Sequence, residues 1–142
     1  MCKSVITAGL MIGLIASVQA ETPNLEPGMW ETTATIRAEG GFPIPEQSHT
    51  SSDCMTEEDL AMGDAFFEDV DQCEFQHREI RRNGADFEMT CSDPSGMSIK
   101  MTASMSFNGD TSEGNIRAEL ETPMGPMSML TTLKGRRTGS CP

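Results

Sequence analysis

The chain has 142 residues and a formal net charge of −12 at pH 7. A chain this acidic repels phosphate backbones, so nucleic-acid binding is excluded as its expected function. Its length suits one domain, but twelve methionines stand against six phenylalanines, one tryptophan and no tyrosine. Because methionine packs flexibly, we expect a thin core that needs covalent support.

The first twenty residues have the organisation of a secretory signal peptide. Lys3 is the positive charge, residues 5–18 are largely apolar, and Val18-Gln19-Ala20 fits a cleavage site. The apolar run is shorter than the roughly 20 residues that span a bilayer. We therefore expect cleavage near Ala20, a mature domain of residues 21–142 with no membrane span, and a periplasmic or secreted location.

Four cysteines remain after this cleavage: Cys54, Cys73, Cys91 and Cys141. An even number in an exported chain predicts two disulfides, and the lack of C-x-x-C spacing disfavours a zinc site. Four cysteines allow three pairings. We favour Cys54–Cys73, closing a helical excursion, with Cys91–Cys141 holding the C-terminal tail; the alternative is Cys73–Cys91 across a hairpin.

In chain order, turn signals separate runs in which apolar residues recur at every second position, which is typical of half-buried strands. The first strand has one face made of Trp30, Thr32, Ala34, Ile36 and Ala38. A loop follows over residues 40–47. One short helix is expected after Cys54, because Thr56-Glu57-Glu58-Asp59 resembles a capping box with acids in the first turn.

Strands dominate the rest of the chain. The segment 73–82 alternates poorly, which predicts a bulge or an edge, and Asn83-Gly84 predicts a tight type I′ hairpin into a strand at 85–91. Three further runs alternate, at residues 97–107, 116–120 and 127–133. The sequence thus predicts an all-β, mainly antiparallel fold: a strongly curved meander sheet or small barrel of about six to seven strands with one short helical insertion.

A series of short motifs extends over the whole mature chain. They are Pro27-Gly28-Met29-Trp30-Glu31, residues 54–60, Asn83-Gly84, Cys91, Phe107-Asn108-Gly109-Asp110 with Gly114, and residues 135–141. Their order and spacing resemble the bacterial exported family called domain of unknown function 3617. The resemblance implies a small exported protein with a disulfide framework and no assigned chemistry. The family usually has tyrosine where this chain has Phe107, which implies that this position is not catalytic.

Methionines on one sheet face provide the main candidate binding site. The candidate ligand-pocket residues are Trp30, Met89, Met97, Met101, Met105, Met127 and Met129. The simplest interpretation is a core filled by a malleable residue and anchored by the tryptophan. The alternative is an apolar cavity for a small molecule inside a curved sheet. A third interpretation is copper(I) binding by the thioethers of Met124, Met127 and Met129.

Catalysis is not expected, and neither is a cofactor. His49 and His77 are scattered, no G-x-S-x-G motif occurs, and the cysteines are assigned to bridges. Arg136-Arg137 either bonds nearby carbonyls and acids or docks an anionic group of a ligand or partner. The sequence predicts a non-catalytic binding module for an apolar small molecule; the alternative is an accessory or inhibitor-like protein that binds another envelope protein.

Overall fold

A computed structural model describes residues 21–40, 44–62, 72–92 and 94–142. The signal-peptide prediction, on residues 1–20, lies outside these ranges. The described elements are β1 (Gly28–Glu39), β2 (Gln47–Met55), α1 (Glu57–Met62), β3 (Cys73–Arg81), β4 (Gly84–Ser92), β5 (Ser98–Phe107), β6 (Thr111–Thr122) and β7 (Gly125–Gly139). In these ranges no helix has the length and apolar character needed to cross a membrane.

All seven strands form one sheet in the order β2-β1-β7-β6-β5-β4-β3. Every neighbouring pair is antiparallel. Strands β3 to β7 make a meander, after which β7 returns to pair with β1 along most of its length. Since β2 and β3 are both edges, the sheet is curved but not closed. The all-β prediction is confirmed, and of its two forms the open curved sheet is the one observed.

Most apolar residues of the strands, Met29 and Leu130 excepted, share one face of the sheet, which we call the inner face. Its buried core consists of Leu25, Trp30, Leu60, Ala85, Phe87, Ala103 and Phe107. The register brings the start of β1, the start of β4 and the end of β5 to the same end of the sheet. The core therefore fills only one end of the inner face.

The helix α1 begins where the sequence predicts. The amide of Asp59 donates to Thr56 Oγ1 at 3.2 Å, while Asp59 Oδ2 accepts from the amide and the hydroxyl of Thr56 at 2.8 and 2.6 Å. These bonds, that from the hydroxyl first, lower the pKa of Asp59. Leu60 follows in the same turn and is 3% exposed, so the cap sets the helix against the core.

The hairpin between β3 and β4 is tight, but Asn-Gly is not its centre. Arg81 pairs with Gly84, so the two turn residues are Arg82 and Asn83. Gly84 opens β4 without a left-handed φ, and a Cβ there would lie 2.5 Å from the carbonyl oxygen of Met105. Glycine is needed at this position because two backbones approach closely, and not because the turn requires a positive φ.

The irregularity predicted for the segment 73–82 is confirmed, because β3 is an edge strand with a bulge. Its register shifts between Phe75 and His77, so Gln76 is an extra residue relative to β4. After the bulge, Arg78 and Ile80 lie opposite inner-face residues of β4. The inserted residue is the reason that the sequence of this strand alternates poorly.

Two disulfides are present, but the favoured pairing was wrong. Cys73 is bonded to Cys91, its direct cross-strand partner, with a Cα–Cα distance of 4.0 Å. Cys54 is bonded to Cys141 with a Cα–Cα distance of 5.5 Å. A Cys54–Cys73 bridge fails because β2 and β3 are opposite edges of the sheet, and Cys91–Cys141 fails because β5 and β6 separate β4 from β7. The observed hairpin bridge is the alternative that the sequence left open.

Candidate functional site

A row of apolar side chains crosses the inner face beside the core. Successive cross-strand partners place it as Ala38, Met129, Ala118, Met101, Met89 and Phe75, from β1 to β3. We call these six residues the methionine row. Every one of them is half-buried, and of the six only Phe75 packs against the buried core.

A second apolar row lies next to the first. It consists of Met127, Leu120, Ile99, Cys91 and Cys73, again half-buried throughout. The Cys73–Cys91 disulfide closes this second row at the β3 edge. Because neighbouring strands are spaced by about 4.8 Å, the methionine row covers roughly 24 Å measured along the sheet. The two rows together form a continuous apolar band.

A cleft of about 840 Å³ opens at the same end of the sheet. Met97, Leu120 and Met127 supply apolar lining, while Arg117 and Lys100 come from the outer face of β6 and β5. Because residues from both faces of the sheet line the cleft, it lies over the ends of β5, β6 and β7, where it meets the second apolar row. Its volume is in the range of pockets that bind small molecules.

Ion pairs neutralise the two cations of this cleft. Arg117 Nη1 donates to Glu39 Oε2 at 2.6 Å, and Lys100 Nζ lies 2.9 Å from Glu88 Oε1. The hydrogen bond between Lys100 and Glu88 raises the pKa of the lysine and lowers that of the glutamate. Glu119 also lines the cleft. The lining of the cleft thus carries no surplus positive charge.

Two of the sequence-predicted pocket residues belong to the core instead of a cavity. Trp30 is 3% exposed, and its indole N–H donates to the carbonyl of Glu26 at 2.9 Å. Met105 packs against the core cluster. Both lie on the inner face, as the methionine row does, but at the end of the sheet that the core fills.

The other five predicted pocket residues all lie at the end away from the core. Met89, Met101 and Met129 belong to the methionine row, and Met97 and Met127 line the cleft. Besides the Cys73–Cys91 disulfide, the apolar band has five non-methionine members that the sequence reasoning missed: Ala38, Ala118, Phe75, Leu120 and Ile99. Four of them follow the same two-residue alternation as the predicted strands and could have been assigned to this face. Phe75 could not, because the bulge after it interrupts the alternation of β3.

The two arginines are bonded within the chain. Arg136 donates through Nε and Nη2 to Glu31 Oε1 at 3.0 and 2.8 Å. Arg137 donates through Nε to the carbonyl of Pro27 at 2.8 Å. These contacts hold β7 against β1 and against the segment that precedes β1. The two arginines thus bond a nearby acid and a nearby carbonyl, which is the first of the two interpretations that the sequence offers.

The three candidate copper ligands are divided between a turn and a strand. Met124 lies in the turn between β6 and β7 and is 79% exposed, whereas Met127 and Met129 are half-buried on the inner face of β7. Over the described ranges, no group of three or more His, Cys, Asp or Glu side chains is arranged to hold a metal ion.

Comparison with known proteins places the chain in a family without giving it a function. No curated protein and no solved structure matches it. A family model described as "Protein of unknown function (DUF3617)" matches residues 25–141. That range contains all seven strands, the helix and both disulfides. The chain therefore belongs to the DUF3617 family.

Proposed function

We propose that the protein is an exported, non-catalytic binding module that holds an apolar small molecule along the methionine row. The observation that carries this proposal is the continuity of six half-buried apolar side chains across six strands, of which only Phe75 packs against the core. Contiguous apolar surface of this kind commonly marks a binding site. Methionine side chains also adapt to ligands of varied shape.

Export is supported by the N-terminal sequence and by the cysteine chemistry. Residues 1–20 have the pattern of a signal peptide. All four cysteines of the remaining chain are paired in disulfides, which persist in oxidising compartments. We infer a periplasmic or secreted location for the mature domain.

The composition of the apolar band favours binding over catalysis. Its side chains are those of methionine, alanine, leucine, isoleucine, phenylalanine and a disulfide, which include no general base and no free nucleophile. Small Ala38 and Ala118 flank the larger Met129, so the surface has grooves in which an elongated ligand can lie. The expected ligand is neutral, apolar and elongated.

Native mass spectrometry of protein purified from the periplasm without refolding tests this proposal. A co-purified adduct of an apolar molecule is the expected result. Binding of the neutral apolar fluorescent probe N-phenyl-1-naphthylamine is then compared between Met101→Glu and Thr102→Glu, because these neighbours occupy opposite faces of β5. Met101→Glu should abolish the adduct and weaken probe binding, since a charge on the apolar band opposes an apolar ligand.

Thr102→Glu is the matched control and should retain both the adduct and probe binding. Equal losses in the two variants would contradict a ligand site on the inner face. Circular dichroism of both variants checks that the sheet is intact.

The alternative proposal is an accessory or inhibitor-like protein that docks on another envelope protein. The net charge of −12 supports it, since a strongly acidic surface attracts basic partners. In that case the native mass contains no adduct, and a periplasmic protein captured at low salt is released at moderate salt, where exposed charges are screened. Capture that does not depend on salt would contradict a charge-driven partner.

Copper(I) binding is the third proposal. It is supported by Met127 and Met129, two thioether ligands on the same face of β7. A competition titration with a copper(I) chelator compares Met127→Leu/Met129→Leu with the control Met89→Leu/Met101→Leu. Loss of affinity only in the first double variant is expected; unchanged affinity would exclude these ligands.

A further inference from the structure

The two edges of the sheet differ in how well they are protected against pairing. The edge β3 has a bulge and carries Glu74, His77, Arg78, Glu79 and Arg81. Bulges and charges on an edge strand hinder the addition of another strand. The edge β2 has no bulge, since it pairs with β1 from Gln47 to Met55 without a register shift, and it carries only two ionisable side chains, His49 and Asp53.

Within residues 21–40, 44–62, 72–92 and 94–142, no strand pairs with the outer side of β2. In the described sheet β1 is its only neighbour, and seven of its nine residues are exposed. An edge of this length presents a row of backbone donors and acceptors to a further strand. Its sequence is nearly neutral, with Asp53 as the only acid and His49 as the only basic side chain. In a chain of charge −12, two copies can therefore approach here with little repulsion.

We propose that two copies of this protein pair antiparallel through β2, so that their two sheets become one continuous sheet. The strand has nine residues, and Ser51 is its centre. Pairing over the full length puts Ser51 on the two-fold axis and Gln47 opposite Met55 of the second copy. Both inner faces then lie on the same side, because directly opposed residues of the strand have the same parity.

The full-length register also produces charge complementarity. It places His49 opposite Asp53 of the second copy, and two-fold symmetry creates this pair twice. Both side chains lie on the inner face, opposite Ala34 and Trp30 of β1 respectively. Directly opposed Cβ atoms are about 4.5–5.5 Å apart, close enough for an imidazole and a carboxylate to interact. Sliding one strand by two residues would put both groups opposite uncharged side chains and leave part of each strand unpaired.

The described inner-face neighbours of this pair on β1 and β2 carry no charge. The nearest inner-face neighbours of His49 and Asp53, on β1 and along β2, are Ala34, Thr32, Trp30, Gln47, Ser51 and Met55. All of these side chains are uncharged. Length of pairing and charge complementarity thus select the same register independently.

Analytical ultracentrifugation of the mature protein tests the proposal, with substitutions that change the charges at positions 49 and 53. At neutral pH and low salt, the wild type should convert from monomer to dimer as its concentration is raised to about 1 mM. His49→Asp places like charges opposite each other at both sites and should raise the dissociation constant on the order of tenfold or more. His49→Asp/Asp53→Lys restores opposite charges and should restore the dimer.

A wild type that stays monomeric over this range, or a dimer that His49→Asp leaves unchanged, would overturn the proposal. Both substitutions are on exposed positions of an edge strand, so folding should persist. Thermal unfolding followed by circular dichroism verifies this for each variant.

Cross-linking tests the register itself. Ser51→Cys places thiols opposite each other on the axis, within the Cα separation that a disulfide allows, and oxidised glutathione should convert it to a covalent dimer. Gln47→Cys is the matched control, because the register puts Gln47 opposite Met55 of the second copy, which offers neither a thiol nor a disulfide. Equal cross-linking of the two variants would overturn the register.

Discussion

Cys54 and Cys141 are 87 residues apart in the chain, yet a disulfide joins them with a Cα–Cα distance of 5.5 Å. The bond connects the edge strand β2 to the tail that follows β7, and β1 lies between those two strands. The tail after β7 therefore passes β1 to approach β2, and the bond links the two neighbours of β1. The other bridge, Cys73–Cys91, closes a separation of only 18 residues at the opposite edge.

Removing the long-range bridge should destabilise the protein more than removing the hairpin bridge. In the loop-entropy description, Cys54→Ser/Cys141→Ser lowers the free energy of unfolding by about 4.5 kcal/mol, and Cys73→Ser/Cys91→Ser lowers it by about 3 kcal/mol. Urea unfolding without reductant measures both. Equal losses, or the reverse order, would contradict loop length as the main determinant.

Trp30 should be the most sensitive core position of β1. It is 3% exposed, and its indole bonds the carbonyl of Glu26. Trp30→Ala should lower the free energy of unfolding by about 3–5 kcal/mol, because it leaves a large cavity and removes the bond. Met97→Ala is the control at a side chain that is 46% exposed, where we expect a change below about 0.5 kcal/mol. Urea unfolding followed by circular dichroism applies to both variants.

The close approach of backbones at Gly84 predicts intolerance of even one methyl group. A Cβ there would lie 2.5 Å from the carbonyl oxygen of Met105, so Gly84→Ala should destabilise the protein by about 1–3 kcal/mol. At Gly139, nothing lies within 4 Å of the position of a Cβ. Gly139→Ala should accordingly leave the melting temperature nearly unchanged. A tolerated alanine at position 84 would mean that β4 and β5 can separate at no cost.

Asp86 should contribute to acid sensitivity. Its pKa lies below the ordinary value of 3.8, first because Ser104 donates a hydrogen bond to it and then because it pairs with Arg81. A carboxyl whose pKa is lower in the folded state stabilises the protein fully above the unfolded-state value. That stability is lost as the pH falls through the folded-state pKa.

The wild type should therefore exceed Asp86→Asn in stability at pH 7, and this advantage should vanish below the folded-state pKa. Urea unfolding from pH 7 to strongly acidic pH measures it. Ser104→Ala removes the largest cause of the shift and should reduce the pH-dependent part. A difference between the wild type and Asp86→Asn that is constant with pH would assign the effect to packing.

The sequence by itself determined the features that depend on neighbouring residues. Period-two spacing in residues 97–107 predicts a strand with one apolar face, and β5 covers Ser98–Phe107 with Ala103 and Phe107 buried. The cap at Thr56 likewise predicts the start of α1. Both features are local, because strand alternation and helix capping involve residues that are two to four positions apart.

The tertiary structure decided everything that depends on register. Alternation places Trp30, Met101 and Met105 on the same face, but it does not determine the position of each residue relative to the neighbouring strands. Cross-strand pairing puts Trp30 and Met105 at the core and Met101 in the methionine row. The disulfide pairing follows the strand order in the same way. Long-range pairing arises from cooperative packing of segments distant in the chain, and a local pattern carries no information about it.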